Sequence, residues 1–269
     1  MEGKAFKIIA QELNKLVNDS TMEIQYAQIC ACAQELLDEY LGEDYNFPID
    51  LEKLVEKIGI NVIYQPLNGL VEEDGQHVHR VVGRNLKRQN FVTKELVSSI
   101  LIDDESNRAE QRYALAHELA HFLIHQEEKT YNSEYYVMPM LFKNMEEMIA
   151  DCFASFLLIP IPLFIKEFAA YIGGQPVPVK KSEWLRYLSV LAEVDYENVA
   201  IGYQTIRYVC GYAYGVKKQR EKAAEEQAES QVENRVENQE AKKKSEIFER
   251  QLNRIIDAIS DPEAENLFC

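Results

Sequence analysis

The residues of this sequence with the clearest capacity for chemistry are His117, Glu118 and His121, which form an H-E-x-x-H pattern. Residues four apart on an α-helix lie on the same face, so the two imidazoles can bind one metal ion. Glu118 follows His117 and reaches the open side of that ion. Burying two histidines and a glutamate in an apolar helix is unfavourable unless a partner compensates them, and a metal ion does so. The pattern therefore predicts a metal site with a free carboxylate beside it.

The third ligand is expected from the segment 145–160. Zinc in a catalytic site takes three protein ligands and leaves the fourth position for water. Glu147 and Asp151 lie four residues apart in this segment, on one helical face. We expect Glu147 to be the ligand and Asp151 to accept a hydrogen bond from a zinc-bound histidine, His117 in the first place. Glu146 is the competing ligand, although it lies one residue out of register with Asp151.

His125 extends the pattern but does not fit the same metal ion. It lies two helical turns after His117, about 12 Å along the axis. We therefore expect His125 either to contact one of the metal ligands without binding the metal itself, or to end the helix.

A site of this kind predicts hydrolysis. Zinc lowers the pKa of its bound water towards neutrality, and Glu118 takes the proton as the water attacks a scissile carbonyl. Glu118 then passes the proton to the leaving amine. A second donor to the oxyanion, or a substrate contact, has five open candidates: His77, His79, Tyr113, Tyr135 and Tyr136. For His77 and His79, a solvent-exposed loop or hairpin is the alternative.

The elements around these residues predict an α+β fold, in which a small sheet packs on a buried active-site helix and further helices follow. Helical spacing occurs in residues 23–40 and, after the capping residue Asp50, in residues 51–58. Short β-branched runs at residues 60–64, 78–82, 91–93 and 98–103 predict three to five strands. The buried helix spans residues 107–125, and further helices are expected at residues 145–159, 182–191 and 197–212.

The chain divides by composition into three predicted regions. Residues 1–45 form an N-terminal helical region, residues 46–215 the main domain, and residues 216–269 a charged tail rich in Glu, Gln and Lys. The tail is expected to be helical or disordered. Its amphipathic end, near Ile247 and Ile256, can dock on the core or on a partner, and we expect it to bind a partner or to self-associate. A disordered linker is the alternative.

Charge and cysteine content limit the class of protein. The 269 residues carry a formal net charge of −16, so we expect no direct binding to nucleic acid. The 5 cysteines show no metal-finger or disulfide spacing, which favours a reducing compartment. The N-terminus lacks a continuous apolar stretch, and residues 153–165 are too short to span a bilayer. A cytoplasmic protein without a membrane segment is expected.

Three stretches of the chain resemble the ImmA/IrrE family of metallo-endopeptidases. They are FPIDLEKLVEKIGINVIY, ILIDDESNRAEQRYALAHELAHFLIH and EEMIADCFASFLLIP, in that order. The last is similar to the family pattern E-x-x-A-(N/D)-x-F-A-x-x-L-L-x-P, and the similarity extends over about residues 20–215. Two positions depart from the family. Ala120 stands where a glycine is frequent, and Ile149 stands where an acid is frequent.

The resemblance implies a zincin-like fold with a gluzincin-type ligand set and one Zn²⁺ per chain. It also implies a regulatory protease that cleaves a helix-turn-helix repressor, or another regulator, of a phage, a mobile element or a stress response. Two further classes stay open. One is a non-proteolytic zinc-containing regulator that acts by binding its partner, and the other is a metal-dependent hydrolase of small molecules.

A final expectation concerns substrate binding. The strand at residues 98–103 immediately precedes the buried helix, so we expect it to lie beside the cleft. An extended peptide could then pair with the free edge of this strand.

Overall fold

The computed structural model describes residues 4–19, 25–67, 81–89, 96–125, 131–136, 144–173, 180–229 and 239–260. Over these residues the chain forms nine helices and four strands. The helices are α1 (Lys4–Val17), α2 (Tyr26–Leu41), α3 (Leu51–Ile58), α4 (Arg108–Ile124), α5 (Met145–Leu158), α6 (Ile161–Gly173), α7 (Lys181–Ala192), α8 (Tyr196–Glu229) and α9 (Gln239–Ile259). The strands are β1 (Asn61–Gln65), β2 (Val81–Gln89), β3 (Leu96–Asp103) and β4 (Tyr131–Tyr136). The expected α+β fold is confirmed.

The four strands form one mixed sheet in the order β1-β3-β2-β4. Strand β1 pairs with β3 in parallel, and β2 pairs antiparallel with both β3 and β4. Strands β1 and β3 correspond to the β-branched runs expected at residues 60–64 and 98–103. The run expected at residues 91–93 lies outside the described residues.

The expectation that residues 98–103 offer a free strand edge is wrong. Strand β3 lies inside the sheet, because β1 covers one of its edges and β2 covers the other. Ile100 and Ile102 are fully buried, as is typical of a central strand that packs on a helix. Within the described part of the sheet, the outer strands are β1 and β4.

Helix α4 carries the histidine pattern and is buried from Arg112 to Ile124. A capping box fixes its start, because Asn107 Oδ1 accepts from the backbone N–H of Glu110 and the Glu110 side chain accepts from the backbone N–H of Asn107. Strand β3 leads directly into this start. The sheet therefore determines where the first turn of α4 begins, and with it the position of every residue on the helix.

Helix α5 packs beside α4 and α2 and supplies the acidic segment. Its N-cap is Asn144, whose Oδ1 lies 2.9 Å from the backbone nitrogen of Glu147. Glu146 and Glu147 thus occupy the first turn of the helix, where the helix dipole favours negative charge. The later part of α5 is apolar and buried, which anchors the acidic first turn against α4.

The two ends of the chain also pack on this core. Helix α1 contacts α4, where Asn14 Nδ2 donates to the carbonyl oxygen of Ile124 at 3.0 Å.

Helix α9 lies on α2, where Gln251 Nε2 lies 3.0 Å from an oxygen of Glu35 and 3.0 Å from an oxygen of Asp38. Arg250 pairs with Glu35, and Arg254 pairs with Asp38. Three apolar residues of α9 are buried at this contact: Leu252, Ile255 and Ile259. The division of the chain into three regions stays a prediction.

No single helix among the described residues is long and apolar enough to cross a membrane. Helices α5 and α6 meet the criterion only as a pair, bent by 48° at the break between them.

Candidate metal centre

His117 and His121 lie on the same face of α4 and direct their Nε2 atoms towards each other. The two Nε2 atoms are 3.0 Å apart, and neither side chain is accessible beyond 1%. Spacing of four residues on a helix produces this arrangement, because it brings the two rings one turn apart.

Glu147 of α5 meets both imidazoles. Its Oε2 lies 3.2 Å from His117 Nε2, and its Oε1 lies 3.2 Å from His121 Nε2. Two donors bound to one tetrahedral zinc ion at 2.0–2.1 Å are themselves about 3.3 Å apart. These contacts use both oxygens of Glu147 and are close to that value, and one donor atom from each of the three residues lies within 4.8 Å of the others. The residues therefore fit a zinc ion.

The Nδ1 atom of each imidazole contacts its own carboxylate. His117 Nδ1 lies 3.0 Å from Asp151 Oδ1, and His121 Nδ1 lies 3.0 Å from Glu146 Oε1. Because a carboxylate oxygen can only accept here, each Nδ1–H donates, and both Nε2 atoms face the position between the rings. Such carboxylate–imidazole pairs fix the tautomer and orientation of metal-binding histidines.

Each orienting carboxylate has a further neighbour. The hydroxyl of Tyr113 lies 3.4 Å from Asp151 Oδ1. His125 Nε2 lies 2.8 Å from Glu146 Oε1, and its ring stacks on that of His121 with 15° between the planes. Tyr113 thus faces the carboxylate behind His117, a position that favours positioning over contact with a substrate.

Sequence reasoning weighed Glu146 as a ligand and missed that it orients His121. The spacing of His121 and His125 could have indicated this role, because two histidines four residues apart lie on one helical face, where a single carboxylate can contact both. His121, His125 and Glu146 also form a second group whose donor atoms lie within 4.8 Å of one another. This group contains His121 of the first, so the two groups are not independent.

Glu118 is fully buried on the side of α4 that faces the sheet. Gly83 of β2 lies against it, since a Cβ at Gly83 would be 3.1 Å from Glu118 Cγ and 3.2 Å from the Cβ of Ala114. Asn85 Nδ2 donates to the backbone oxygen of Glu118 at 3.3 Å. Neither Gly83 nor Asn85 was identified from sequence, because strand β2 meets α4 only in the tertiary structure.

Four further candidates for an oxyanion donor or a substrate contact lie on other segments of the chain. Of these, His77 and His79 lie outside the described residues. Tyr135 and Tyr136 belong to β4, where their backbones pair with Gly83 and Val81 across a register irregularity. The backbone of Tyr135 therefore lies beside Gly83, which packs against Glu118. The tyrosine side chains lie outside the described part of the structure.

The hydrogen bonds of the site shift its pKa values strongly. Burial lowers the pKa of His117, but hydrogen bonds to Asp151 and Glu147 outweigh burial and raise the pKa above its ordinary value. The same balance, with Glu146 and Glu147 as partners, raises the pKa of His121 to about 10. Hydrogen bonds from the histidines hold the pKa values of Glu146 and Glu147 well below their usual range.

Zinc binding is expected to strengthen as the pH rises. A raised histidine pKa favours the protonated ring, and zinc must displace that proton to bind. Each displaced proton increases the apparent affinity about tenfold per pH unit while the pH stays below the pKa of the metal-free group. Competition titrations with a chromophoric chelator between about pH 6 and 8.5 measure this slope. An affinity that does not change over this range contradicts the prediction.

Comparison with protein families shows where this chain is similar to known proteins. Residues 55–199 match the family model described as the IrrE N-terminal-like domain, Peptidase_M78. The matched segment exceeds half of the 269 residues and contains β1 to α7 with every residue of the metal centre. No curated protein matches the chain.

Proposed function

Since the chain belongs to the IrrE N-terminal-like domain family of metallopeptidases, we propose that it is a zinc-dependent endopeptidase that cleaves a regulatory protein. One observation carries the proposal. The Nε2 atoms of His117 and His121 lie 3.0 Å apart, each lies 3.2 Å from an oxygen of Glu147, and Glu118 is the next residue after His117. This arrangement supports metal-assisted hydrolysis as the proposed chemistry.

His117 Nε2, His121 Nε2 and a carboxylate oxygen of Glu147 would hold one zinc ion. When bound, zinc polarises the scissile carbonyl and makes water more acidic, which generates a nucleophile at neutral pH. Asp151 and Glu146 keep the two Nε2 atoms unprotonated towards the ion by accepting the Nδ1 protons.

Glu118 is assigned to proton transfer. Its carboxylate accepts a proton from the water that attacks the carbonyl carbon, and it delivers this proton to the amine nitrogen as the peptide bond breaks. Its burial excludes bulk water, which would otherwise compete for the proton. The close approach of Gly83 restricts where the side chain of Glu118 can lie.

A Gly83→Ala variant is expected to lower the peptidase rate by about ten- to a hundredfold and to keep zinc. The added methyl group would lie 3.1 Å from Glu118 Cγ and 3.2 Å from Ala114 Cβ, so Glu118 must shift. Gly173 is a matched control, because a Cβ there meets nothing within 4 Å. Rates of peptide cleavage and zinc content measured on Gly83→Ala and Gly173→Ala test this, and equal rates contradict it.

The proposed substrate is a helix-turn-helix repressor or another regulator of a phage, a mobile element or a stress response. The resemblance to ImmA/IrrE peptidases supports this part of the proposal. The net charge of −16 also supports a protein partner with a basic surface over direct contact with nucleic acid. We further propose a reducing, cytoplasmic location, since the described cysteines Cys30, Cys32, Cys152 and Cys210 are free thiols.

Cleavage of a peptide library tests the function. The purified chain is loaded with zinc, incubated with peptides from a bacterial proteome digest, and new termini are identified by mass spectrometry. We expect cleavage at internal bonds that stops when a chelator removes zinc. Stoichiometric zinc without cleavage of any peptide would instead favour the non-proteolytic regulator. Hydrolysis of acyl or phosphoryl esters alone would favour the small-molecule hydrolase.

A further inference from the structure

A pocket lies directly beside the metal centre, on the exposed side of α5. It has a volume of about 40 Å³ and is formed by three helices. Asp151 lines this pocket and lies one helical turn after Glu147, the proposed zinc ligand, on the same side of α5. Its lining comes from α2, α5 and α8: Tyr26, Met148, Asp151, Cys152, Ser155, Ile201 and Thr205.

The pocket continues into an apolar surface on α8. Ile201, Tyr208 and Tyr212 are spaced by seven and four residues, which places them on one face of the helix. Their exposures are 44%, 62% and 46%. The rings of Tyr208 and Tyr26 are 5.1 Å apart in an edge-to-face arrangement, so Tyr26 joins this surface to the pocket. We call Ile201, Tyr208 and Tyr212 the apolar α8 face.

Such an aligned exposed face is typical of a surface that binds another molecule, because scattered apolar residues do not line up with a pocket. The face spans the twelve residues from Ile201 to Tyr212, about 16 Å of helix, which an extended chain covers with about five residues. Its near end adjoins Asp151, the carboxylate that orients His117. This continuity with the metal centre determines the occupant that we assign.

We propose that the apolar α8 face and the adjoining pocket bind an apolar segment of the protein substrate and direct the neighbouring bond to the metal centre. The inference rests on the proposed function and adds the class of sequence that the enzyme selects. A pocket of about 40 Å³ admits only a small side chain, and larger apolar side chains of the same segment contact Tyr208 and Tyr212. Specificity then comes from side chains outside the scissile bond.

Binding is measured on a zinc-loaded Glu118→Gln variant, which keeps substrates uncleaved. The probes are Leu- and Ile-rich peptides and Ser-rich peptides of the same length, presented as an array. We expect the apolar peptides to bind, and Tyr212→Glu to weaken that binding by about tenfold or more. Tyr212→Ser, which adds no charge, is expected to act in the same direction. Circular dichroism checks that both variants keep the helical content of the parent.

Tyr214→Glu is the matched control. Tyr214 is 49% exposed on the same helix, but it lies two residues after Tyr212 and therefore on the opposite face. Equal binding by Tyr212→Glu, Tyr214→Glu and the parent overturns the proposal, and so does the absence of peptide binding by the parent. A parent dimer that Tyr212→Glu alone converts to a monomer also overturns it, because the occupant is then a second copy of the chain.

Failure of the proposed function gives a different result. If the zinc-loaded parent binds apolar peptides through Tyr212 but cleaves none, the surface stands and the peptidase assignment fails. If the parent cleaves the peptides, and Tyr212→Glu cleaves them with an unchanged KM, the peptidase assignment stands and the surface assignment fails.

Discussion

A Glu118→Gln variant is expected to bind zinc as the parent does and to lose peptidase activity by about two to four orders of magnitude. Glutamine has nearly the shape of glutamate, but it cannot accept the proton of the attacking water or return it to the leaving amine. The fold should be unchanged, because the substitution removes only the charge of a fully buried side chain.

The measurement is kcat and KM for one cleaved peptide, together with zinc content by elemental analysis. Glu105→Gln is the control, because Glu105 is exposed in the turn before α4 and contacts neither the metal centre nor the pocket. A loss confined to kcat, with KM and zinc unchanged, assigns Glu118 to the chemical step. Full activity of Glu118→Gln would falsify that role and would move the proton transfer to another residue.

Removal of Glu147, the proposed third ligand, is expected to lower the affinity for zinc strongly. Glu147→Ala deletes a carboxylate whose two oxygens each lie 3.2 Å from one of the Nε2 atoms. We expect a loss of zinc affinity greater than about a hundredfold, since outer partners of a metal site already account for 10–100-fold. Protein purified without added metal should then contain little zinc.

Glu146→Ala is the matched comparison, because Glu146 is the adjacent residue on the same helical turn. Its Oε1 contacts the Nδ1 side of His121, so its loss leaves all three donor atoms in place. We expect it to weaken zinc binding by about 10–100-fold and to keep one zinc per chain at micromolar zinc. Elemental analysis and chelator competition on both variants decide the assignment. Zinc lost in Glu146→Ala but kept in Glu147→Ala would exchange the roles of the two glutamates.

Elements with strong local periodicity were the ones that the sequence predicted best. The helix over residues 107–125 and the strand before it follow from apolar spacing, which depends on neighbouring residues alone. The pairing of His117 with His121 belongs to the same class, because it needs only one turn of helix. The expected contact between Asp151 and His117 needed two helices, and the structure places these side chains 3.0 Å apart.

Residue spacing was less informative for strands. The sequence identified the strand at residues 98–103 but assigned it a free edge, whereas β3 lies between β1 and β2. Strand order depends on which distant segments pair, and periodicity within one strand carries no record of its partners. Gly83 and Asn85 were missed for the same reason, since their importance comes from the helix that β2 packs against.

The sequence by itself determined the chemical types at the candidate metal centre: two imidazoles and a carboxylate on one helix, with acidic residues on a second. The tertiary structure decided how the acidic residues divide, with Glu147 at the Nε2 atoms, and Asp151 and Glu146 at the Nδ1 atoms. It also decided that Tyr26 and α8 form a pocket beside them. The physical reason is that helical periodicity fixes which residues share a face, whereas the angle and register at which two helices pack determine which atoms meet.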